Sequence, residues 1–360
     1  MNKIKSILIT KFKNIGDVLL MTPAIRALKE SYPQARIVVV VNQETEAMLL
    51  HNPHINQLLT YDREVKKKKG WEKIKEEISL VKKLRSENFD LSIEFSGGDR
   101  GAILSFLSGA KIRAGYAKGK RGLLGRNFLF THLSHSNNTK KHMIEHNLDL
   151  LKEIKLRGEN KNLVLNLSKE EEQETERLLA SFKLSSLKDF IVTIHPTSRW
   201  FFKCWKDEYI ACVSDYLVER YGAKVIFTSG PMKKELDKME QINSLLKHKV
   251  INLAGKTRLR QLAGIIKVSQ LFLGIDSAPM HIASALNIPS IILFGPSGHK
   301  HWGPLNPEAT ILVKDLPCIP CGKAGCNDSK ESKCLDMITP DEVKKVIDEM
   351  LLKQRAIKNH

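Results

Sequence analysis

Long apolar runs are scarce in this sequence. The longest are Ile37–Val41, Phe190–Ile194 and Ile291–Phe294, whereas a membrane-spanning helix needs roughly 20 apolar residues. Cysteine is also rare, with 6 in 360 residues, which excludes a small domain held together by disulfides. No G-x-G-x-x-G motif follows an apolar run, which argues against a dinucleotide-dependent oxidoreductase. What remains is a globular protein that builds ordinary hydrophobic cores.

The length and apolar content fit two domains. The chain has 360 residues, of which 42% are hydrophobic, and domains usually hold about 100–200 residues each. The N-terminus places basic residues around the short apolar run Ser6–Thr10, without an extended apolar region or a small-residue cleavage site. We therefore interpret this run as a buried strand and expect a cytoplasmic protein.

Acidic residues are outnumbered, with 40 Asp and Glu against 58 Lys and Arg. Residues 1–160 hold 29 of the basic and 17 of the acidic residues, including the run Lys66–Lys69, so most of the excess charge is N-terminal. Such asymmetry predicts a polyanionic partner, either an anionic membrane surface or a phosphorylated substrate, or else a solvated lysine-rich surface. Without zinc-finger or RNP-like motifs, we do not expect nucleic acid.

Strand and helix patterns alternate along most of the chain. This alternation predicts an α/β fold with two Rossmann-like doubly wound domains that face each other across a cleft. The predicted first domain spans residues 1–165, a connection spans 166–187, and the second domain spans 188–338. A helix over 339–360 could pack back on the first domain. A single helix is predicted over Asp17–Ser31.

The first polar motif follows the first predicted strand and runs from Lys11 to Asp17. Gly16 permits a sharp strand-to-helix turn, and Asp17 lies at the helix start. In this architecture ligands bind at the carboxyl ends of the strands. Asp17 is therefore either a helix cap only or a group that takes part in chemistry.

A second motif, His195-Pro-Thr197-Ser198-Arg199, follows the first strand of the second domain and continues to Lys203. Hydroxyls and cations at a strand end suit a phosphate. A third motif, Asp276-Ser277-Ala278-Pro-Met-His281, joins a strand to a helix whose first amides form an anion site. Gly295-Pro-Ser297-Gly298 then resembles a second phosphate-facing loop, whereas a lone His281 is more often packed than catalytic.

Four of the six cysteines are clustered as Cys318-x2-Cys321-x4-Cys326-x7-Cys334. Stable disulfides are rare in the cytoplasm. The cluster is therefore interpreted either as a structural zinc site or as four free thiols.

Together these motifs resemble glycosyltransferase family 9, the lipopolysaccharide heptosyltransferases. The resemblance rests on K-x5-G-D-V-L, H-P-T-S-R followed by K-x-W, and D-S-A-P-x-H-I-A-S-A-L followed by F-G-P-S, in that order over nearly the whole chain. It is closest to the subgroup that adds the third, branching heptose. It implies the GT-B arrangement, with the acceptor on the first domain and the ADP-sugar on the second. It also implies inversion without a catalytic metal, and the sequence has no Asp-x-Asp motif.

The resemblance assigns roles to individual residues. It implies that Asp17 is the general base, that Lys203 serves catalysis at the donor diphosphate, and that Lys11 lies on the acceptor side. The remaining implied residues contact the donor: Thr197, Ser198, Glu235, Asp276, Ser277, Ala278, His281, Gly295 and Ser297.

The expected activity is transfer of L-glycero-D-manno-heptose from ADP-heptose to the lipid A–core oligosaccharide, with inversion and without a cofactor. We expect the enzyme on the inner face of the inner membrane, bound peripherally. The alternatives are a family member that transfers another sugar to a different surface glycan, and a nucleotide-sugar-binding module without turnover. The presence of Asp17 argues against the binding module.

Overall fold

The chain folds into two compact units, Met1–Asn166 and Leu167–His360. The computed structural model describes residues 4–66, 70–119, 125–136 and 141–358. The basic run Lys66–Lys69 therefore lies, from residue 67 onward, outside the described residues. No helix in these ranges is long and apolar enough to cross a membrane.

The first unit contains one sheet of six parallel strands. Its spatial order is β3-β2-β1-β4-β5-β6, which is the order of a Rossmann domain. Apolar runs such as Ile37–Val41 are fully buried, as expected for a sheet covered on both faces. The strands are β1 (Ser6–Lys11), β2 (Arg36–Asn42), β3 (Gln57–Tyr61), β4 (Leu91–Glu94), β5 (Ile112–Tyr116) and β6 (His132–Ser134).

The helices of this unit include one correction. The single helix predicted over Asp17–Ser31 is two helices, because Pro23 lacks an N–H and its ring would collide with a carbonyl one turn earlier. Pro23 instead lies in the first turn of the second helix, where it is tolerated. The helices are α1 (Ile15–Leu19), α2 (Thr22–Ser31), α3 (Trp71–Ser86), α4 (Asp99–Leu107) and α5 (Met143–Lys152), with 3-10 turns at Gln43–Met48, Arg63–Lys66 and Arg126–Leu129.

The second unit repeats the same topology. Its six parallel strands are ordered β12-β11-β10-β7-β8-β9, so the first strand again lies between the second and the fourth. The predicted class, α/β with two Rossmann-like doubly wound units, is confirmed. The strands are β7 (Ile191–His195), β8 (Lys224–Phe227), β9 (Ile251–Asn252), β10 (Leu271–Ile275), β11 (Ser290–Leu293) and β12 (Ala309–Leu312).

The segment predicted as a connection, 166–187, contains a helix of the second unit. Ser168 and Glu171 form a reciprocal capping box at its start, and Glu171 pairs with Arg260 at 2.5 Å. The helices of this unit are α6 (Lys169–Ser181), α7 (Asp207–Tyr221), α8 (Lys233–Ser244), α9 (Leu259–Lys267), α10 (Ala278–Ala285), α11 (His299–Trp302), α12 (Lys333–Asp336) and α13 (Pro340–Lys358), with 3-10 turns at Phe201–Lys203 and Cys326–Asp328.

The C-terminal helix α13 belongs to the second unit. Val343, Ile347 and Leu351 are buried in the core that β7, β8 and α7 share. Tyr216 and Tyr221 of α7 both donate hydrogen bonds to Asp348, at 2.6 Å each. The spacing of these apolar residues by four places them on one helix face, and the core of the second unit covers that face.

This packing predicts a specific stability difference. Ile347→Ala removes a fully buried side chain and should lower the free energy of unfolding by about 2–5 kcal/mol. Leu352 is 64% exposed on the same helix, so Leu352→Ala should change the free energy of unfolding by less than about 0.5 kcal/mol. Urea unfolding followed by circular dichroism measures both. Equal effects of the two substitutions would contradict the placement of α13.

Candidate active site

The polar motifs of the first unit lie where β1 and β4 end. These two strands are paired in the sheet, and the strand order reverses between them. Such a switch point opens a crevice at the carboxyl ends of the strands, which is where doubly wound sheets bind ligands. Asp17 follows β1 and Ser96 follows β4, so the predicted first motif lies at this crevice.

Asp17 occupies the third position of α1 and is partly exposed. One of its carboxylate oxygens accepts hydrogen bonds from the backbone N–H and the side-chain amide of Asn14, both at 3.3 Å. Asp17 therefore does stabilise the helix start, as the cap interpretation requires. These bonds also fix the carboxylate at the crevice, and its role as a base stays a prediction.

Lys11 is the last residue of β1 and is only 2% exposed. Its ammonium donates to the carbonyl of Phe95, which follows β4, at 2.8 Å. Burial lowers the pKa of Lys11 to about 8, although the carboxylates of Asp17 and Glu94 favour its charged form. The side chain thus joins the ends of β1 and β4 from inside the protein. A direct contact of Lys11 with the acceptor stays a prediction.

A buried ion pair behind this crevice was missed in the sequence. Glu94, the last residue of β4, lies 3.3 Å from the guanidinium of Arg126, and both side chains are almost fully buried. Glu94 also accepts the N–H groups of Ser96 and Gly97, at 2.7 and 2.9 Å. Burial raises the pKa of Glu94, and the hydrogen bonds with Ser96 and the charge of Arg126 oppose that rise. The network therefore fixes the backbone that follows β4.

A cavity of about 290 Å³ opens at the carboxyl ends of β1 to β4. Arg63 and Arg100 contribute cations to its wall, and each is also paired with a glutamate at 2.8 Å, Glu44 and Glu77 respectively. Among the described residues no carboxylate lines the cavity itself, which makes it suited to an anionic or hydroxyl-rich group. The lining residues are Phe12, Lys13, Asn42, Tyr61, Arg63, Ser96, Gly98, Arg100 and Gly101.

The equivalent switch point of the second unit holds an ion pair. The ammonium of Lys203, in the segment after β7, lies 2.5 Å from the carboxylate of Asp276, which directly follows β10. The side chains are 14% and 8% exposed. Trp205 anchors this segment, because its buried indole N–H donates to the carbonyl of Ile338 at 2.9 Å. Two motifs separated by 73 residues are thus joined in one site.

A second pair of predicted donor residues also meets. The hydroxyl of Thr197 donates to the carboxylate of Glu235 at 3.0 Å, and both side chains are buried. Beside them His195 shares a 2.9 Å hydrogen bond with Thr228. Burial lowers the pKa of His195 to about 4, so it is neutral at pH 7. His195 therefore carries no positive charge at this site, whereas Lys203 does.

The other predicted donor residues lie at three turns of the same unit. Ser198 is buried and accepts the N–H of Trp200 at 3.2 Å. Ser277 and Ala278 form the start of α10, and His281 is buried within that helix. Their arrangement agrees with an anion site at a helix start. Their contacts with a donor stay predictions.

Gly295 and Ser297 have different surroundings in the loop after β11. A side chain at Gly295 would approach Leu335 of α12 to 2.7 Å, so this glycine serves close packing. The hydroxyl of Ser297 is buried and has no hydrogen-bond partner among the described residues. Buried polar atoms normally have partners, so Ser297 is available to a ligand oxygen.

The cysteine segment, defined as Cys318–Cys334, contacts the segment after β7 and the loop after β11. The N–H of Gly322 donates to the carbonyl of Pro296 at 2.9 Å, and the hydroxyl of Ser332 donates to the carbonyl of Phe202 at 2.6 Å. Cys318 and Cys321 are exposed, whereas Cys334 is buried. In the described parts of the chain, no three His, Cys, Asp or Glu side chains are arranged to hold a metal ion. The zinc interpretation stays a prediction.

Comparisons with known proteins show to which family the chain is similar. Residues 78–331 match glycosyltransferase family 9 (heptosyltransferase). Lipopolysaccharide heptosyltransferase 3 of Escherichia coli K12 is 36% identical over 292 residues, or 80% of this chain and 82% of that protein. A family 9 glycosyltransferase of Veillonella parvula DSM 2008 is 25% identical, with a TM-score of 0.83 and coverage of 98% and 99%. The structure of E. coli ADP-heptose lps heptosyltransferase II shares the fold, with a TM-score of 0.78, 22% identity and coverage of 98% and 100%.

The resemblance drawn from the three motifs is therefore confirmed. The family match extends over most of the chain, and the E. coli relative aligns with four fifths of it. The residues of that match include the Lys203–Asp276 pair at the second switch point. The chain belongs to glycosyltransferase family 9 and is a glycosyltransferase of the heptosyltransferase type.

Proposed function

We propose that this enzyme transfers L-glycero-D-manno-heptose from ADP-heptose to the inner core of lipopolysaccharide, as the third, branching heptose. The observation that carries the proposal is the Lys203–Asp276 pair at the carboxyl ends of β7 and β10. It offers a cation to a diphosphate and a carboxylate to sugar hydroxyls. The similarity to E. coli lipopolysaccharide heptosyltransferase 3 supports the choice of sugar and of branching position.

The chemistry needs a base for the acceptor and a charge for the leaving group. Asp17 takes the proton of the acceptor hydroxyl as the new C–O bond forms, a contribution of about 10²–10⁴ in rate. The C–O bond to ADP breaks on the opposite side of the anomeric carbon, so the configuration inverts. Lys203, with the amides at the start of α10, stabilises the negative charge on the diphosphate. Thr197 and Glu235 bind the nucleotide part of the donor.

The acceptor belongs to the first unit in this proposal. The cavity lined by Lys13, Arg63 and Arg100 suits the anionic groups of a lipid A–core oligosaccharide. Because such an acceptor is anchored in a bilayer, we place the enzyme at the cytoplasmic face of the inner membrane, bound peripherally to anionic lipid. The net charge of +18 favours that association.

The general-base role is tested by Asp17→Asn, with ADP-heptose and truncated core acceptors and with the products read by mass spectrometry. Asparagine keeps the oxygen that accepts the N–H of Asn14, so melting and donor affinity should stay near normal. Because the amide cannot accept a proton, kcat should fall by roughly 10²–10⁴. The matched control is Asp90→Asn. Asp90 accepts the N–H of Lys5 at the opposite end of β1, so this substitution should leave kcat near normal.

Two outcomes of this experiment have separate meanings. Asp17→Asn protein with more than about a tenth of the normal rate would falsify the base assignment. Normal protein that transfers heptose to no core acceptor, or that transfers another sugar faster, would overturn the proposed substrate pair. The family assignment does not depend on either result.

Lys203→Ala tests the diphosphate contact. The substitution removes the cation, so both donor affinity and kcat should fall, unlike the kcat-only effect at Asp17. It also leaves the buried Asp276 carboxylate without its partner, which lowers stability, so rates are normalised to the folded fraction. Lys206→Ala changes an exposed lysine three residues away and should leave both parameters unchanged. Calorimetric titration with ADP that gives equal affinity for Lys203→Ala and normal protein would refute the contact.

We retain a structural zinc ion on Cys318, Cys321, Cys326 and Cys334 as a proposal. The support for this proposal is the clustering of these four cysteines within 17 residues of the sequence. Purified protein should contain about one equivalent of zinc in tetrahedral thiolate coordination, and chelation should reduce activity only as far as it unfolds the protein. Elemental analysis without metal, together with four titratable thiols, would show free cysteines.

A further inference from the structure

Helix α3 of the first unit exposes a row of large apolar side chains. Trp71 is 71% exposed, Ile74 48% and Ile78 43%. Their spacing of three and four residues places them on one face of the helix. Tryptophan with isoleucine at such exposure is unusual for a face that meets only water.

The same face is basic. At 100° per residue, Trp71, Ile74 and Ile78 span an arc of about 60°. Arg85 projects within this arc, whereas Lys82 and Lys75 project about 20° and 40° outside its edge, and all three are exposed. The acidic residues Glu72, Glu76 and Glu77 project to other sides. In the sequence, the lysines 66–69 precede Trp71, with Gly70 between them. We call the set Trp71, Ile74, Lys75, Ile78, Lys82 and Arg85 the α3 outer face.

The opposite side of α3 already satisfies the packing of the helix. Leu84 is fully buried in the cluster that includes Leu8, Val38 and Phe89, and Leu80 and Val81 pack against it. Glu77 is also turned inward, since it accepts hydrogen bonds from Tyr61 and Arg100 at 3.0 and 2.8 Å. The α3 outer face therefore adds nothing to the core of its unit, and its composition requires another explanation.

We propose that the α3 outer face binds the surface of an anionic lipid bilayer. A helix that presents apolar and aromatic residues beside Lys and Arg lies in the plane of the interface, with its apolar side chains among the acyl chains. Trp71 is suited to the headgroup boundary because its indole is apolar with one polar N–H. Lys75, Lys82 and Arg85 contact lipid phosphates. The charge of this face favours lipid over a second copy of the chain, because two like-charged faces repel each other.

Only the role of this surface, which is to keep the enzyme beside a lipid-anchored acceptor, rests on the proposed function. Binding itself is a property of the free protein and is measured without any substrate. The probe is sedimentation with vesicles of phosphatidylcholine that contain about 30 mol% phosphatidylglycerol. Vesicles of pure phosphatidylcholine are the neutral comparison. We expect binding to the anionic vesicles only, and a steep decrease with added salt.

Matched variants locate the surface. Trp71→Ser with Ile78→Ser should weaken vesicle binding by at least about tenfold, because two interfacial anchors are lost. Lys82→Gln should weaken it about fivefold. Lys83→Gln changes the neighbouring exposed lysine, which projects about 100° away, and should have little effect. Leu187→Ser, at a 94% exposed leucine of the second unit, controls for the loss of an exposed apolar side chain.

Several outcomes would overturn the proposal. These are equal binding to neutral and anionic vesicles, equal loss for Lys82→Gln and Lys83→Gln, or a dimer in sedimentation velocity that the double variant dissociates without any change in vesicle binding. Transfer to a delipidated core oligosaccharide separates this proposal from the proposed function. The α3 variants should keep the normal rate with that acceptor, whereas a wrong substrate assignment gives no product even with normal protein. Circular dichroism melting checks that each variant is folded.

Discussion

The Lys203–Asp276 ion pair is the contact on which the second unit's site depends. Two opposite charges that are mostly buried need each other, since either one alone would be costly to desolvate. The pair also joins the ends of β7 and β10, the two neighbouring strands at which the strand order reverses. Under the proposed function, a diphosphate that binds Lys203 leaves the Asp276 carboxylate to accept sugar hydroxyls. The ion pair would then already hold both groups near the positions that they need, which limits the reorganisation that transfer requires.

The first unit uses the same topology with a different charge arrangement. At its switch point, buried Lys11 donates to Phe95, and Glu94 is paired with Arg126. These groups fix the backbone on both sides of the crevice, while Asp17 remains partly exposed at its edge. The pair of the second unit thus presents a cation beside a carboxylate at the strand ends, whereas the buried charges of the first unit fix the backbone there. Under the proposed function, the arrangement in the second unit suits a donor that carries a diphosphate.

Much of this fold could be predicted from the sequence, for physical reasons. Buried parallel strands are continuous apolar runs, so β2, β7 and β11 were evident. The edge strands β6 and β12 were not predicted. The helix α6 was interpreted as a connection on the basis of its acidic run, although those residues favour a helix start. The motifs indicated Lys203 and Asp276 separately. The Glu94–Arg126 pair could not be predicted, since only the folded packing brings these distant residues together.

The cysteine segment illustrates how structure outside the site can control it. Two hydrogen bonds join it to the segment after β7 and the loop after β11: Gly322 to Pro296, and Ser332 to Phe202. The next residue after the segment, Leu335, packs against Gly295. Phe202 adjoins Lys203 and Pro296 adjoins Ser297, so these contacts fix the backbone next to two of the proposed donor residues. The same contacts explain why a glycine is needed at 295, where the first side-chain atom would displace α12.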